Sequence, residues 1–249
     1  MSRLATEREF HDEQAARRRQ GLTPDKLRFN DDSYLDHETW IRPAVEWLGD
    51  LSGQRILDLG CGHGMAAVVF ARRGAIVTGL DLSVGYLREA SDRAAANGVS
   101  ASFVEGNAER LPFADASFDR VWGHAIVHHL DVSQAASEIA RVLRPGGCAV
   151  VCEPWGGNPM LNWARRRLHY WGKARTADED PLRPESVALF RRHFPNLEWR
   201  GYQLAGMLRR VYGDTPLTRG LSRIDRACLR IVPLLRNLCR YAVFYLPRP

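Results

Sequence analysis

The fold is decided between Arg55 and Asp81, which reads RILDLGCGHGMAAVVFARRGAIVTGLD. An apolar strand carries Asp58 and ends at three alternating glycines, Gly60, Gly62 and Gly64. A helix-like segment follows, then a second apolar strand that closes on Asp81. Strand, glycine turn, helix and strand in that order place a ligand at the first turn of a parallel α/β sheet. Glycine lets a ligand approach the backbone with no Cβ in the way, and the helix behind it aims free N–H groups at that ligand. Asp81 stands 21 residues beyond Gly60, the spacing at which an acid ending the second strand meets ribose hydroxyls. The dinucleotide fingerprint needs glycine at the sixth place of G-x-G-x-x-G. Here that place is Met65, so the dinucleotide reading fails. Asp58, two residues before Gly60, is unhelpful to a pyrophosphate and suits a ligand with a cationic amino group.

Outward from this unit, strands expected at 55–59, 75–80, 101–105, 118–122 and 146–152 alternate with helices expected at 63–73, 83–97 and 132–142. Such alternation predicts a parallel sheet wound on both faces, with Pro145-Gly146-Gly147 as the turn before the fifth strand. Residues 1–50 read as a helical cap, in which Trp40, Val45, Trp47 and Leu48 fall near helical spacing. After Glu153 the texture changes. Trp155, Trp163, Tyr170 and Trp171, the run Arg165–Arg167 and the acids Asp178, Glu179 and Asp180 follow. A sixth strand is expected at 197–203, helix at 217–239 divided at Pro233, and a last strand at 240–246. The expectation is one domain over 1–249: a cap (1–50), a cofactor-binding core (51–154), and a substrate cap with the final strands (155–249).

The segment Asp58-Leu-Gly-Cys-Gly-His-Gly64 resembles the first motif of class I S-adenosylmethionine (SAM)-dependent methyltransferases. The resemblance continues in order over about residues 50 to 154. Asp81-Leu82-Ser83 is similar to the ribose-binding strand end. Gly106-Asn107-Ala108 through Phe113 is similar to the adenine-side loop, with Asn107 where Asp is usual. Ser117 to Trp122 resembles the fourth strand, and Leu143 to Gly147 the turn into the fifth. Within the class the chain most resembles the small-molecule branch of the ubiquinone and menaquinone methyltransferases. The resemblance implies a Rossmann-like, doubly wound, mostly parallel seven-stranded sheet with an antiparallel last strand. Helical insertions are expected after strand five and between strands six and seven.

It also implies SAM as cofactor and a set of roles. Asp58 would serve the methionine end and Asp81 the ribose, with Gly60, Cys61, Gly62 and Gly64 forming the turn. Asn107 would meet the adenine amino edge, with Leu82 and Ala108 packed on the ring. Tyr34 could close over the methionine carboxylate, and His124 could contact the cofactor. Methyl transfer needs alignment above all and a base only when the acceptor must lose a proton. His124, His128, His129 and Glu153 are the candidate catalytic groups, because strand C-termini face the ligand in such sheets. Surface or core packing is the competing account of Tyr34, a turn role that of Asn107, and a capping role that of Glu153. A metal site is not expected, since adjacent histidines leave a helix on different faces.

The 249 residues suffice for a full core, and no apolar run is long enough to span a bilayer. The polar start MSRLATEREFHDEQAARRRQ has no signal-like apolar core. The five cysteines include no C-x-x-C. A reduced, cytoplasmic protein is therefore the expectation. Charge is uneven: residues 151–249 hold 18 Arg and Lys against 8 Asp and Glu, while residues 1–150 hold 17 against 21. That excess could face nucleic acid, an acidic substrate or a membrane surface, or be a solvated arginine-rich face. No Asn/Asp-Pro-Pro-aromatic turn follows the fourth strand, and no Pro-Cys nucleophile exists, which argues against nucleic acid as partner. The expected acceptor is a small, bulky, apolar molecule: a lipid, isoprenoid or secondary metabolite, methylated at oxygen or carbon. An RNA methyltransferase and a SAM-binding protein without methyl transfer are the alternatives. Peripheral membrane contact stays open on the apolar stretch 231–246, and oligomeric state is not legible.

Overall fold

The computed structural model describes residues 3–167 and 180–249, the side chain of Arg166 excepted. Tyr170, Trp171, Asp178 and Glu179 lie outside the described residues. Seven strands form one sheet: β1 (Arg55–Leu59), β2 (Ile76–Asp81), β3 (Ser102–Glu105), β4 (Phe118–His124), β5 (Leu143–Pro154), β6 (Glu198–Tyr202) and β7 (Tyr241–Pro247). Their spatial order is β3-β2-β1-β4-β5-β7-β6. The first five run parallel; β7 is antiparallel to β5 and to β6. The order reverses between β1 and β4, so a crevice opens at their C-terminal ends.

Side chains alternate across the sheet with the period of two that a pleated strand imposes. Leu57, Val121 and Val151 join the cluster beneath the helices Val132–Val142 and Pro184–Arg191. Their neighbours Ile56, Trp122 and Val150 join the opposite cluster with Trp40, Ile41, Val45 and Leu48 of the cap. Both faces are thus covered, as a parallel sheet requires. The fifth strand is longer than the expected 146–152, because backbone pairing begins at Leu143. The Gly146 turn survives inside it as a positive-φ residue beside a register shift.

The cap starts with a helix, Arg3–Arg19. It is fastened to the helix Val84–Ala96 along its length. Asp12 Oδ1 accepts from Ser83 Oγ (2.5 Å) and Gly85 N (3.1 Å). A Cβ on Gly85 would stand 2.8 Å from that of Ala15, so glycine sets the closeness of the two helices. Farther along, Arg18 donates to the buried Glu89 (2.9 Å), which also accepts from the buried Arg93 (2.7 Å). These bonds hold the first helix over the end of the sheet.

Candidate cofactor and active site

The crevice at the strand ends is a cavity of about 710 Å³. It is floored by the residues after β1, β2, β3 and β4 and roofed by the cap. The glycine loop shapes the floor in two ways. Gly60 and Gly64 have φ of +67° and +80°, and a Cβ on either would come within 2.7 Å of Ile126 or Ala90. Gly62 has open space where a Cβ would be, so its backbone is bare to the cavity. Gly64 caps the helix Met65–Arg72 and does not itself line the cavity.

Asp58 is buried at the end of β1, and its Oδ2 has no hydrogen-bond partner. Burial first, and the negative charge of Asp81 second, push its carboxyl up to about 7. A buried carboxylate in this state is completed by a cation. Asp81 is different. Its Oδ1 accepts from Ser83 N (2.9 Å) and its Oδ2 from Gly62 N (2.8 Å). Burial raises its pKa, and these two backbone donors oppose the rise. Each oxygen keeps a further lone pair for a hydroxyl. Asn107 Oδ1 accepts from Glu109 N (2.9 Å), forming the turn of its own loop. Its amide NH₂ is then the group suited to a ring nitrogen. Leu82 and Ala108 line the cavity beside it. Cys61 also lines it, and burial next to Asp58 and Asp81 keeps its thiol protonated. The unpartnered Asp58 oxygen, the bare Gly62 backbone and the twin acceptors of Asp81 match an ammonium, a carboxylate and a ribose in turn. The residues present therefore fit SAM.

At the other end, Tyr34 accepts from Trp122 Nε1 (3.2 Å) and lines the cavity with Ser33 and His37. His124 packs edge-on against Trp40, with ring centroids 4.7 Å apart. Burial takes its imidazole down to about 4, against the pull of Glu153. It is neutral near pH 7 and can accept a hydrogen bond. Its successor Ala125 has φ +55°, a left-handed conformation rare for alanine. Ala125 N donates to Cys152 O (2.9 Å), which helps hold the bend.

The four candidate catalytic groups are split. His124 and His129 line the cavity; His128 and Glu153 do not. Glu153 is fully buried, with Oε1 accepting from Ile126 N (3.0 Å) and Val127 N (2.7 Å). Its Oε2 is 2.6 Å from His128 Nδ1. These three contacts brace the turn after β4, and the carboxylate lies outside the cavity lining. The imidazoles of His128 and His129 lie 4.1 Å apart, yet His129 turns to Glu7, 3.7 Å away. Among the described residues no cluster could hold a metal ion.

The roof holds side chains that the sequence did not single out. Leu4, Glu7, His11, Gln14 and Arg18 follow the spacing of one helical face, and all line the cavity. Glu7 is buried and its Oε1 has no hydrogen-bond partner. Gln14 accepts from Tyr86 OH (3.0 Å), another cavity residue. The signal was present as a 4-7-11-14-18 spacing. It was hidden because four of those residues are polar.

Residues 57–151 match the family described as a methyltransferase domain. Over 120 residues the chain is 42% identical to methyltransferase GfsG of Streptomyces halstedii, covering 47% of this chain and 43% of that one. Over 146 residues it is 40% identical to the demethylmenaquinone methyltransferase of Thermobifida fusca, covering 52% and 61%. The chain thus spans about half the length of these relatives. A solved SAM-dependent methyltransferase from Methanosarcina mazei superimposes with a TM-score of 0.52 at 26% identity, over 64% of this chain and 87% of that one. The glycine loop, the two aspartates and the ordered strand ends lie within or beside the matched span. Residues 57–151 thus match the methyltransferase-domain family, and the core of this chain is similar to SAM-dependent methyltransferases.

Proposed function

We propose that this protein transfers the methyl group of SAM to oxygen or carbon of a small, largely apolar organic acceptor. The observation that carries the reading is the shared cavity in which the unpartnered Asp58 oxygen and Asp81 face the aromatic residues Tyr34 and Trp122. The sulfonium cofactor, when bound, supplies an already activated methyl group. Asp58 holds the ammonium and is ionised by it, because an opposite charge lowers a carboxyl raised by burial. Asp81 takes the ribose hydroxyls while Gly62 N–H keeps it in place. Asn107 donates to the adenine, and Leu82 and Ala108 cover the ring. Ile41, Tyr34 and the roof helix exclude water from the reacting end. His124, neutral and buried, accepts a hydrogen bond from an acceptor hydroxyl and so orients it. A proton leaving that hydroxyl would pass to His124 only as a strongly disfavoured imidazolium. Acceptors that ionise readily, such as phenols, quinols and enols, are therefore favoured over simple alcohols. The similarity to a demethylmenaquinone methyltransferase supports this class.

The test is to incubate the protein with SAM and a panel of quinols, phenols and aliphatic alcohols. Demethylated cofactor and methylated product are followed by mass spectrometry. Turnover with an acidic hydroxyl or its adjacent carbon is the expected result. Tight SAM binding without product from any acceptor would leave a SAM-binding protein that transfers no methyl. Turnover on RNA that collapses with salt would shift the reading to nucleic acid.

A further inference from the structure

The helix Pro216–Ile231 is packed inside out. Thr218 (0% exposed) and Asp225 (5%) face the protein, while Leu217 (67%), Ile224 (56%) and Ile231 (80%) face solvent. Leu217, Leu221, Ile224, Cys228 and Ile231 alternate by four and three residues, which aligns them in one stripe. Asp225 explains the inward face. Its carboxylate accepts from Leu204 N (3.0 Å), Ala205 N (2.9 Å) and Gly206 N (2.8 Å), which pins the helix to the preceding turn. Polar bonds therefore fix the helix, and Leu217, Ile224 and Ile231 of its apolar side are left exposed while Leu221 and Cys228 are half-buried. The turn after it, Pro233–Leu238, adds Leu234 (76% exposed) to the same surface.

The charge beside the stripe has one sign. From Leu204 to Arg240 the chain holds eight arginines and two acids, Asp214 and Asp225. Asp225 is already committed to backbone amides. Arg223, Arg226 and Arg230 are exposed on the polar side of the helix, across from the stripe, and have no ion pair or side-chain hydrogen bond among the described residues. They line a groove with Arg200 and Arg236. An apolar stripe on a helix whose polar side carries unpaired arginines is complementary to a surface that is apolar within and anionic outside. The arginine stems can lie along the apolar region while the guanidinium groups reach phosphates.

We propose that the helix Pro216–Ile231 and the turn Pro233–Leu238 dock this protein on an anionic membrane surface. The helix lies in the plane of the headgroups with Leu217, Ile224, Ile231 and Leu234 inserted. Docking places the cap at the interface, since Arg209 donates to Asp36 O (3.5 Å) and Gln203 bonds to Glu38. Those cap residues flank His37 of the cavity. An apolar acceptor dissolved in the bilayer would then be presented at the acceptor end. The docking argument itself is independent of the methyl-transfer reading.

The test is co-sedimentation of the full chain with vesicles of phosphatidylcholine, with and without about a third phosphatidylglycerol. The protein should pellet with the anionic vesicles about tenfold more strongly than with the neutral ones. Ile224→Glu, Ile231→Glu and Leu234→Glu together should abolish pelleting without lowering the thermal midpoint, since all three side chains are outward. Should that variant unfold, Arg223→Gln, Arg226→Gln and Arg230→Gln together should weaken anionic binding about tenfold, to the level of neutral vesicles. Wild-type protein that stays in the supernatant with anionic vesicles overturns the proposal. So does a wild-type dimer in sedimentation velocity that the glutamate variant dissociates, with no vesicle binding, because the stripe would then join two copies.

Discussion

The floor and the roof of the cavity are built on opposite plans. The floor is a set of short strand ends whose polar groups are few and fixed by backbone: Asp81 by Gly62 N and Ser83 N, the bend after His124 by Cys152 O. The roof is one helix whose polar side chains, Glu7, His11, Gln14 and Arg18, reach down at helical spacing. It is anchored through side chains to the helix beneath it. The difference assigns a division of labour. Backbone donors fix the polar groups of the floor, and side chains of the first helix make up the roof.

That division can be broken by substitution. On the floor, Asp58→Asn should cost the largest amount, about a hundredfold in SAM affinity, because it removes a charge-assisted bond to the ammonium. The same change should raise the melting temperature above neutral pH. Below about pH 4 this carboxyl is protonated folded and unfolded alike. Between there and about 7 only the folded state keeps the proton, so stability falls as pH rises through that window. Asn has no such loss, and thermal denaturation at two pH values checks the sign. Asp81→Ala should weaken SAM by about tenfold or more, read by calorimetry, since two hydroxyl contacts go with it. Unchanged affinity would remove the ribose assignment.

The next effect separates binding from turnover. His124→Gln should slow methyl transfer by about tenfold while SAM affinity holds. Its imidazole is already neutral well below about pH 6.5, so the wild-type rate should show no histidine inflection near that pH. The smallest effect belongs to the roof: His11→Ala with Gln14→Ala should change SAM affinity by only about threefold. A loss as large as that of Asp81→Ala would erase the contrast between floor and roof.

The same contrast governs what the sequence made legible. Gly60, Gly62, Gly64, Asp58 and Asp81 could be read because a parallel strand must present them at its C-terminal end, whatever surrounds it. His128 and Glu153 were placed near the site and proved to face each other, since side-chain direction in the 3₁₀ turn Val127–His129 is not set by a two- or 3.6-residue period. The roof stayed hidden because a polar stripe carries no hydrophobic periodicity. The helix Pro216–Ile231 teaches the complementary lesson. Its period announced a helix with an apolar side, and no period states whether that side meets the core or the solvent. Three backbone N–H bonds to the buried Asp225 decide it.

The central claim is that the cavity at the β1–β4 switch point binds SAM through an ionised Asp58. SAM titrated calorimetrically into wild-type and Asp58→Asn protein at about pH 6, 7 and 8 tests it directly. Wild-type affinity should fall about tenfold per unit as pH drops below about 7, and the weaker Asn variant should not respond. Wild-type affinity that is independent of pH and equal to that of Asp58→Asn would contradict the account.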